Sequence, residues 1–295
     1  MNASTAWIRL QSGQLTAEID PLGAQLSVLR DAAGRDLLWD GDPGFWNGRA
    51  PILFPIVGAL NGGIYRWGAQ TFPLSRHGFA RGRRFDVLRQ QTGEALFRLP
   101  ADAATRAVYP FEFELDLHFE LRDAELRVTA TARNLGADPM PASLGFHPAF
   151  RWPLPYGQAR SAHSLDFDAE EPSPVRRLDA QGLLLPEPQA TPVVGRRLML
   201  DDALFEKDVV IFDRLTSRRL RYGAVGGPNI EIEFPDARYL GLWSKPGAGF
   251  ICIEPWRGVA DPTGFSGDLR EKPGMELLAG TRGTLITTMV IRRID

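Results

Sequence analysis

From Phe111 to Leu121, apolar side chains occupy every second position: Phe111, Phe113, Leu115, Leu117, Phe119 and Leu121, with Glu112, Glu114, Asp116, His118 and Glu120 between them. A period of two belongs to a β-strand with one buried and one wet face. A polar turn, Arg122–Asp123–Ala124, follows. Leu126, Val128, Ala130 and Ala132 then alternate with Glu125, Arg127, Thr129 and Thr131. The two runs predict an antiparallel hairpin.

The same pattern recurs along the chain. Leu15, Ala17 and Ile19 alternate with polar neighbours, as do Ala24, Leu26 and Val28, and Gly34 sits in a turn before Leu37–Trp39. Tyr65 to Leu74 turns at Gly68, and Phe85 to Leu99 turns at Thr92–Gly93. Ile230, Ile232 and Phe234 alternate with Glu231 and Glu233, and Leu285 to Ile291 closes the chain. Glycine and proline fall mostly between these runs, where turns need them. Only short helical turns are expected, near Asp102–Ala107 and Asp201–Glu206. Many antiparallel strands and little helix predict an all-β protein, a large sandwich or barrel. The proline-rich stretch Pro153 to Pro192 has strand-like runs on both sides. Residues 1–295 are therefore read as one domain.

Composition narrows the function. The net charge of −2 argues against a general nucleic-acid binder, which needs a basic excess. A single cysteine, Cys252, excludes an internal disulfide framework and a multi-cysteine zinc site. The longest uncharged stretch, Ala50 to Tyr65, carries two prolines and three glycines and is too short and too broken for a spanning helix. Met1 to Leu10 lacks the pattern of a secretory signal, so a cytoplasmic protein is expected. There is no P-loop, no G-x-G-x-x-G between strand and helix, and no H-E-x-x-H. Pro141–Ala–Ser–Leu–Gly145 lacks the first glycine of a nucleophile elbow, which leaves Ser143 structural.

Of the four histidines, His118 lies on the polar side of a strand and His163 in a polar, proline-flanked region, and both are read as solvated. His77 and His147 sit in strand-end segments dense in glycine and proline, Ser75–Arg–His–Gly–Phe–Ala–Arg81 and Leu144–Gly–Phe–His–Pro–Ala–Phe150. Loops on a rigid scaffold commonly carry chemistry. In Phe250–Ile–Cys–Ile–Glu–Pro–Trp256, alternation puts Glu254 on one face with Phe250 and Cys252, and Pro255 is expected to end the strand. A desolvated carboxylate there would be a proton acceptor near neutrality. Phe79, Phe146, Trp243 and Trp256 flank these points and could stack on a pyranose ring. Two histidines, a carboxylate and aromatic side chains suggest proton transfer on a carbohydrate.

Four segments, Pro51–Ile–Leu–Phe–Pro–Ile–Val–Gly58, His77–Gly–Phe–Ala–Arg81, Gly145–Phe–His–Pro148 and Ile253–Glu–Pro–Trp–Arg–Gly258, give the chain its resemblance to the aldose 1-epimerase (galactose mutarotase-like) family. The resemblance implies a twisted β-supersandwich and a cofactor-free, metal-free isomerase that interconverts the α and β anomers of a small sugar. No nucleic acid or membrane partner is expected, and the chain would act as a monomer or homodimer. Carried over by position, His147 resembles the general acid, Glu254 the general base and His77 a second active-site histidine. Asp208 resembles a hydroxyl-binding aspartate, and Arg49 and Arg81 are candidate sugar contacts. Ala59 stands where relatives commonly carry arginine, which argues for neutral sugars over their 6-phosphates. A bell-shaped pH profile would then have its acid limb set by the carboxylate and its basic limb by imidazole. The alternatives are a hexose-6-phosphate mutarotase, a non-catalytic carbohydrate-binding protein on the same fold, and a glycoside hydrolase pairing Asp208 with Glu254.

Overall fold

A computed structural model describes residues 6–265 and 267–295. Among these residues, two large antiparallel sheets carry the architecture, one of nine strands and one of six. The order in the larger sheet is Arg197–Met199, His163–Phe167, Arg219–Ala224, Asn229–Glu233, Thr284–Ile294, Glu125–Asn134, Phe113–Arg122, Glu94–Pro100, Asp86–Gln91. The expected hairpin lies within it. Its register runs unbroken from Glu125–Arg122 to Asn134–Phe113, and Asp123 turns the chain with a φ of 48°. Phe113, Leu115, Leu117, Phe119 and Leu121 are buried, and His118 on the opposite face bonds to Glu94. Asp116, on the polar face, is buried as well, because Arg98 and Arg133 satisfy its carboxylate.

The six-stranded sheet runs Val210–Phe212, Tyr239–Trp243, Phe250–Arg257, Leu144–Phe146, Ile52–Leu53, and Ala149–Arg151 also pairs with Phe250–Arg257. Its two faces are both covered. Ile251 and Ile253 pack into the main core with Phe113, Leu117 and Phe146. Phe250, Cys252, Glu254 and Trp256 point the other way, under loops that contribute Trp39 and Trp46. This second face floors the site described below. The fold is therefore the all-β sandwich the pattern predicts, and both short helical turns form, at Ala103–Arg106 and Asp202–Phe205, each capped by the preceding aspartate.

Two expectations fail here. Pro255 does not end its strand, which continues to Arg257. Ile253 N–H donates to Pro148 O, and the nitrogen of Pro255, two residues on, faces the same side, opposite Phe146, the last residue of the strand Leu144–Phe146. One ladder bond is lost there, at the end of the partner strand, and the pairing with Tyr239–Trp243 on the other edge carries the strand on. His163 is not solvated but buried. Its Nε2 accepts from Leu154 N–H at 3.0 Å and its Nδ1 lies 2.9 Å from Ala159 O, so both ring nitrogens brace the turn between them. The proline-rich stretch around it joins both sheets. His163–Phe167 is a strand of the larger, and Arg176 bridges to Ile211 of the smaller.

Candidate active site

His147 and Glu254 are brought together by strand register. Gly145 pairs with Trp256 and Ala149 with Cys252 on the same strand. The offset is the same on both sides of the gap, which puts His147 opposite Glu254. Directly opposed residues on one face hold their Cβ atoms about 5 Å apart, and His147 Nε2 reaches Glu254 Oε2 at 3.1 Å. Both side chains line an open cavity of about 210 Å³, together with His77, Asp208, Trp243 and Trp256. This is smaller than the roughly 300–1,000 Å³ of drug-sized sites and suits a small ligand.

The glycines beside this strand shape the floor. A Cβ on Gly145 would lie 2.7 Å from Trp256 Cδ1, and one on Gly241 would lie 2.4 Å from its Cη2. Trp256 therefore spreads its indole over two positions without side chains. Trp243 stands edge-on to His147, with ring centroids 5.9 Å apart and an interplanar angle of 80°.

His77 enters from a tight turn in the left-handed region, with φ 67°. Gly58 N–H donates to its Nδ1 at 3.1 Å, and His77 N–H returns a bond to Gly58 O at 2.9 Å. Because Nδ1 accepts, the neutral ring carries its proton on Nε2 and is a donor. Burial pushes the His77 pKa well below its ordinary value, and the neighbouring charges of His147, Arg81, Arg76 and Lys272 add to this. Asp208 is also left-handed, with φ 62°. Its backbone carbonyl is held by Arg177 Nη1 at 3.0 Å, while its exposed carboxylate faces the cavity. Such backbone costs of order 1–3 kcal/mol are kept where surrounding structure imposes them, often at functional sites.

Burial dominates the ionisation of the central pair. The His147 pKa is pushed down to about 3 by burial, with the Arg81 charge adding to it. The Glu254 carboxyl is pushed well above its ordinary value by burial and by the nearby Asp208 charge. The free site thus favours a protonated Glu254 beside a neutral His147, not the ion pair that the sequence suggested. His147 Nδ1, Glu254 Oε2 and Trp256 Nε1 are buried without a well-aligned hydrogen-bond partner in the protein. Such groups cost free energy unless a ligand satisfies them. The donor atoms of His147, Cys252 and Glu254 lie within 4.8 Å of one another. Cys252 is fully buried, and burial and the Glu254 charge raise its thiol, so it packs as a small apolar side chain.

Three sequence candidates lie elsewhere. Arg49 does not line the cavity. Its Nη1 donates to Ser27 O at 2.6 Å and its guanidinium lies 5.3 Å from the Trp7 ring centroid. Phe79 packs instead against Phe54, Tyr109 and Phe113 of the main core. Phe146 is likewise a core residue. Among the cavity residues that escaped the sequence reading are Trp46 and Arg76. Trp46 lies against His147, and Arg76 lines the rim beside Arg81.

The aldose 1-epimerase family model matches residues 7–268. The plasmid-encoded protein LacX of Lactococcus lactis subsp. lactis is 33% identical over 276 residues, covering 90% of this chain and 92% of LacX. A galactose mutarotase-like protein from Lactobacillus casei superimposes with a TM-score of 0.90 at 30% identity, covering 98% of this chain and all of that one. A galactose mutarotase related enzyme from Lactobacillus acidophilus gives the same TM-score at 26% identity, over 98% and 97% of the two chains.

Proposed function

The chain belongs to the aldose 1-epimerase family, and from that premise we propose that it is a mutarotase, interconverting the anomers of an aldose at the His147–Glu254 pair. The observation that carries this reading is the 3.1 Å contact between His147 Nε2 and Glu254 Oε2 at the floor of an open cavity. Mutarotation needs one group to take the proton from the C1 hydroxyl and another to give a proton to the ring oxygen. Glu254 takes the first and His147 gives the second. The C1–O5 bond breaks, the free aldehyde turns about C1–C2, and closure with the roles reversed yields the other anomer.

The pair carries one proton throughout. Opening the ring requires charged His147 and ionised Glu254, and it leaves both neutral. The neutral arrangement is the one burial favours in the free site. One proton hop across the contact converts one arrangement into the other, and hydrogen bonds from the sugar hydroxyls would stabilise the charged form. His77, a donor through Nε2, would bond near the ring oxygen, and Asp208 would accept sugar hydroxyls. Trp243 and Trp256 would cover the apolar faces of the ring.

The test is the approach of a freshly dissolved crystalline aldose to anomeric equilibrium, followed by polarimetry. The rate should rise in proportion to protein concentration. A rate equal to the spontaneous one for neutral and anionic aldoses alike would overturn the reading.

A further inference from the structure

Most arginines around the two sheets sit in ion pairs, as Arg98 does with Asp116, Arg257 with Glu276 and Arg292 with Glu125. Arg76 and Arg81 differ. Both are exposed and both line the rim of the cavity. Among the described residues neither is joined to a carboxylate, and their side-chain bonds go to backbone carbonyls. Arg76 Nη2 donates to Gln181 O at 3.0 Å, and Arg81 Nη2 donates to Arg76 O at 3.0 Å. The Arg76 guanidinium lies on Gly182, where a Cβ would come within 2.0 Å of Nη2. That glycine has a φ of +82° in the turn after Asp179, so the turn leaves a seat for the arginine. The two cations are close enough for Arg76 to depress the Arg81 pKa, secondary to burial, and both act on His77. Asp208 lines the same cavity without forming an ion pair with either arginine among the described residues.

Two guanidiniums on one cavity rim, one of them bonded to the other's backbone carbonyl and each with donors to spare, can together grip a multivalent oxyanion. We propose that the cavity takes an aldose with an anionic substituent remote from C1, a phosphate or a carboxylate, gripped by Arg76 and Arg81 while the anomeric centre meets His147 and Glu254. The inference rests on the mutarotase reading for its chemistry and reverses the expectation drawn from Ala59. Arg76, beside His77 in the same turn, supplies the cation that position 59 lacks.

The experiment has a catalytic arm and a binding arm. In the first, anomer exchange is measured by NMR for glucose, glucose 6-phosphate and glucuronate. We expect kcat/KM at least ~10-fold higher for one of the two anions than for glucose, which also identifies the substituent. Equal or lower values for both anions would overturn the proposal while leaving the mutarotase reading intact. In the second arm, calorimetry compares 1,5-anhydroglucitol 6-phosphate and its carboxylate counterpart with 1,5-anhydroglucitol. None of the three has an anomeric hydroxyl, so none can react. At least one anion should bind ~10-fold or more tightly than the neutral compound, and Arg76→Gln and Arg81→Gln should each remove most of that advantage. That result would support the anion site even if no sugar were turned over. An advantage that survives both substitutions, or no advantage, would overturn it. Both positions are exposed, and an unchanged melting curve confirms that each variant is folded.

Discussion

The Trp46 indole lies against the His147 imidazole, with ring centroids 5.0 Å apart and planes 31° from parallel. Trp46 is itself fixed by its backbone carbonyl, which accepts from Trp39 Nε1 at 2.8 Å. This apolar cover is part of what holds His147 neutral. In Trp46→Ala, water reaches the ring and its pKa should climb from about 3 toward the ordinary 6.5. An NMR titration of the His147 ring protons reads this directly. An unmoved His147 would mean that burial comes from the other walls.

The pH dependence follows from the two opposed shifts. With His147 pushed down to about 3 and Glu254 pushed up, the pair holds one proton across the interval between them. Below it both groups are protonated, above it neither is, and only the one-proton pair can cycle. These are properties of the coupled pair. The acid limb then belongs to the imidazole and the basic limb to the carboxyl, the reverse of the assignment drawn from ordinary pKa values. We expect the acid limb of kcat/KM at about pH 3, below the ordinary carboxyl value, and the basic limb well above that value. An acid limb at an ordinary carboxyl value of 4.5 would contradict it.

Arg49 gives a negative control. Its bond to Ser27 and its packing on Trp7 are structural. Arg49→Ala should change kcat/KM by less than about threefold while costing on the order of 1 kcal/mol in urea unfolding, through lost packing and one hydrogen bond. A large loss of activity in a fully folded variant would restore it as a sugar contact.

Behind the cavity wall, Lys272 is buried, with Nζ 2.9 Å from Asp261 Oδ1 and 2.6 Å from Val259 O. Asp261 Oδ2 accepts from Asn61 N–H at 2.9 Å, which ties this wall to the segment after Ala59. Lys272→Met leaves a carboxylate buried without its partner and should destabilise the protein by about 3–5 kcal/mol. Denaturant unfolding checks this, and a loss below about 1 kcal/mol would mean that the wall relaxes to admit water.

The alternation from Phe111 to Ala132 made the central hairpin readable, because both partners are adjacent in the chain and one turn sets their register. The candidate pair was readable only as two separate residues. His147 and Glu254 meet through a pairing between distant strands, and no local pattern specifies which residue of one strand faces which residue of the other. Arg49 and Phe79 were misplaced because nearness in sequence to a motif stood in for direction, and loop side chains follow no period. Trp46 had a weak signal, an aromatic pair bracketed by Gly44 and Gly48. Arg76 had a plainer one, as the neighbour of His77. His163 was read from the polarity of its surroundings, but a buried imidazole can satisfy both nitrogens on backbone groups.

The central claim is that His147 and Glu254 act as one proton-transferring unit. The direct measurement is the enzyme-catalysed anomer exchange rate at neutral pH, on the best substrate, for the unaltered protein, Glu254→Gln, His147→Asn and the double variant, each shown to be folded. Each single substitution should cost at least ~10²-fold in kcat. The double should cost little more than either alone, because the groups work on one proton cycle. A folded Glu254→Gln or His147→Asn variant that keeps near-normal kcat would contradict the account.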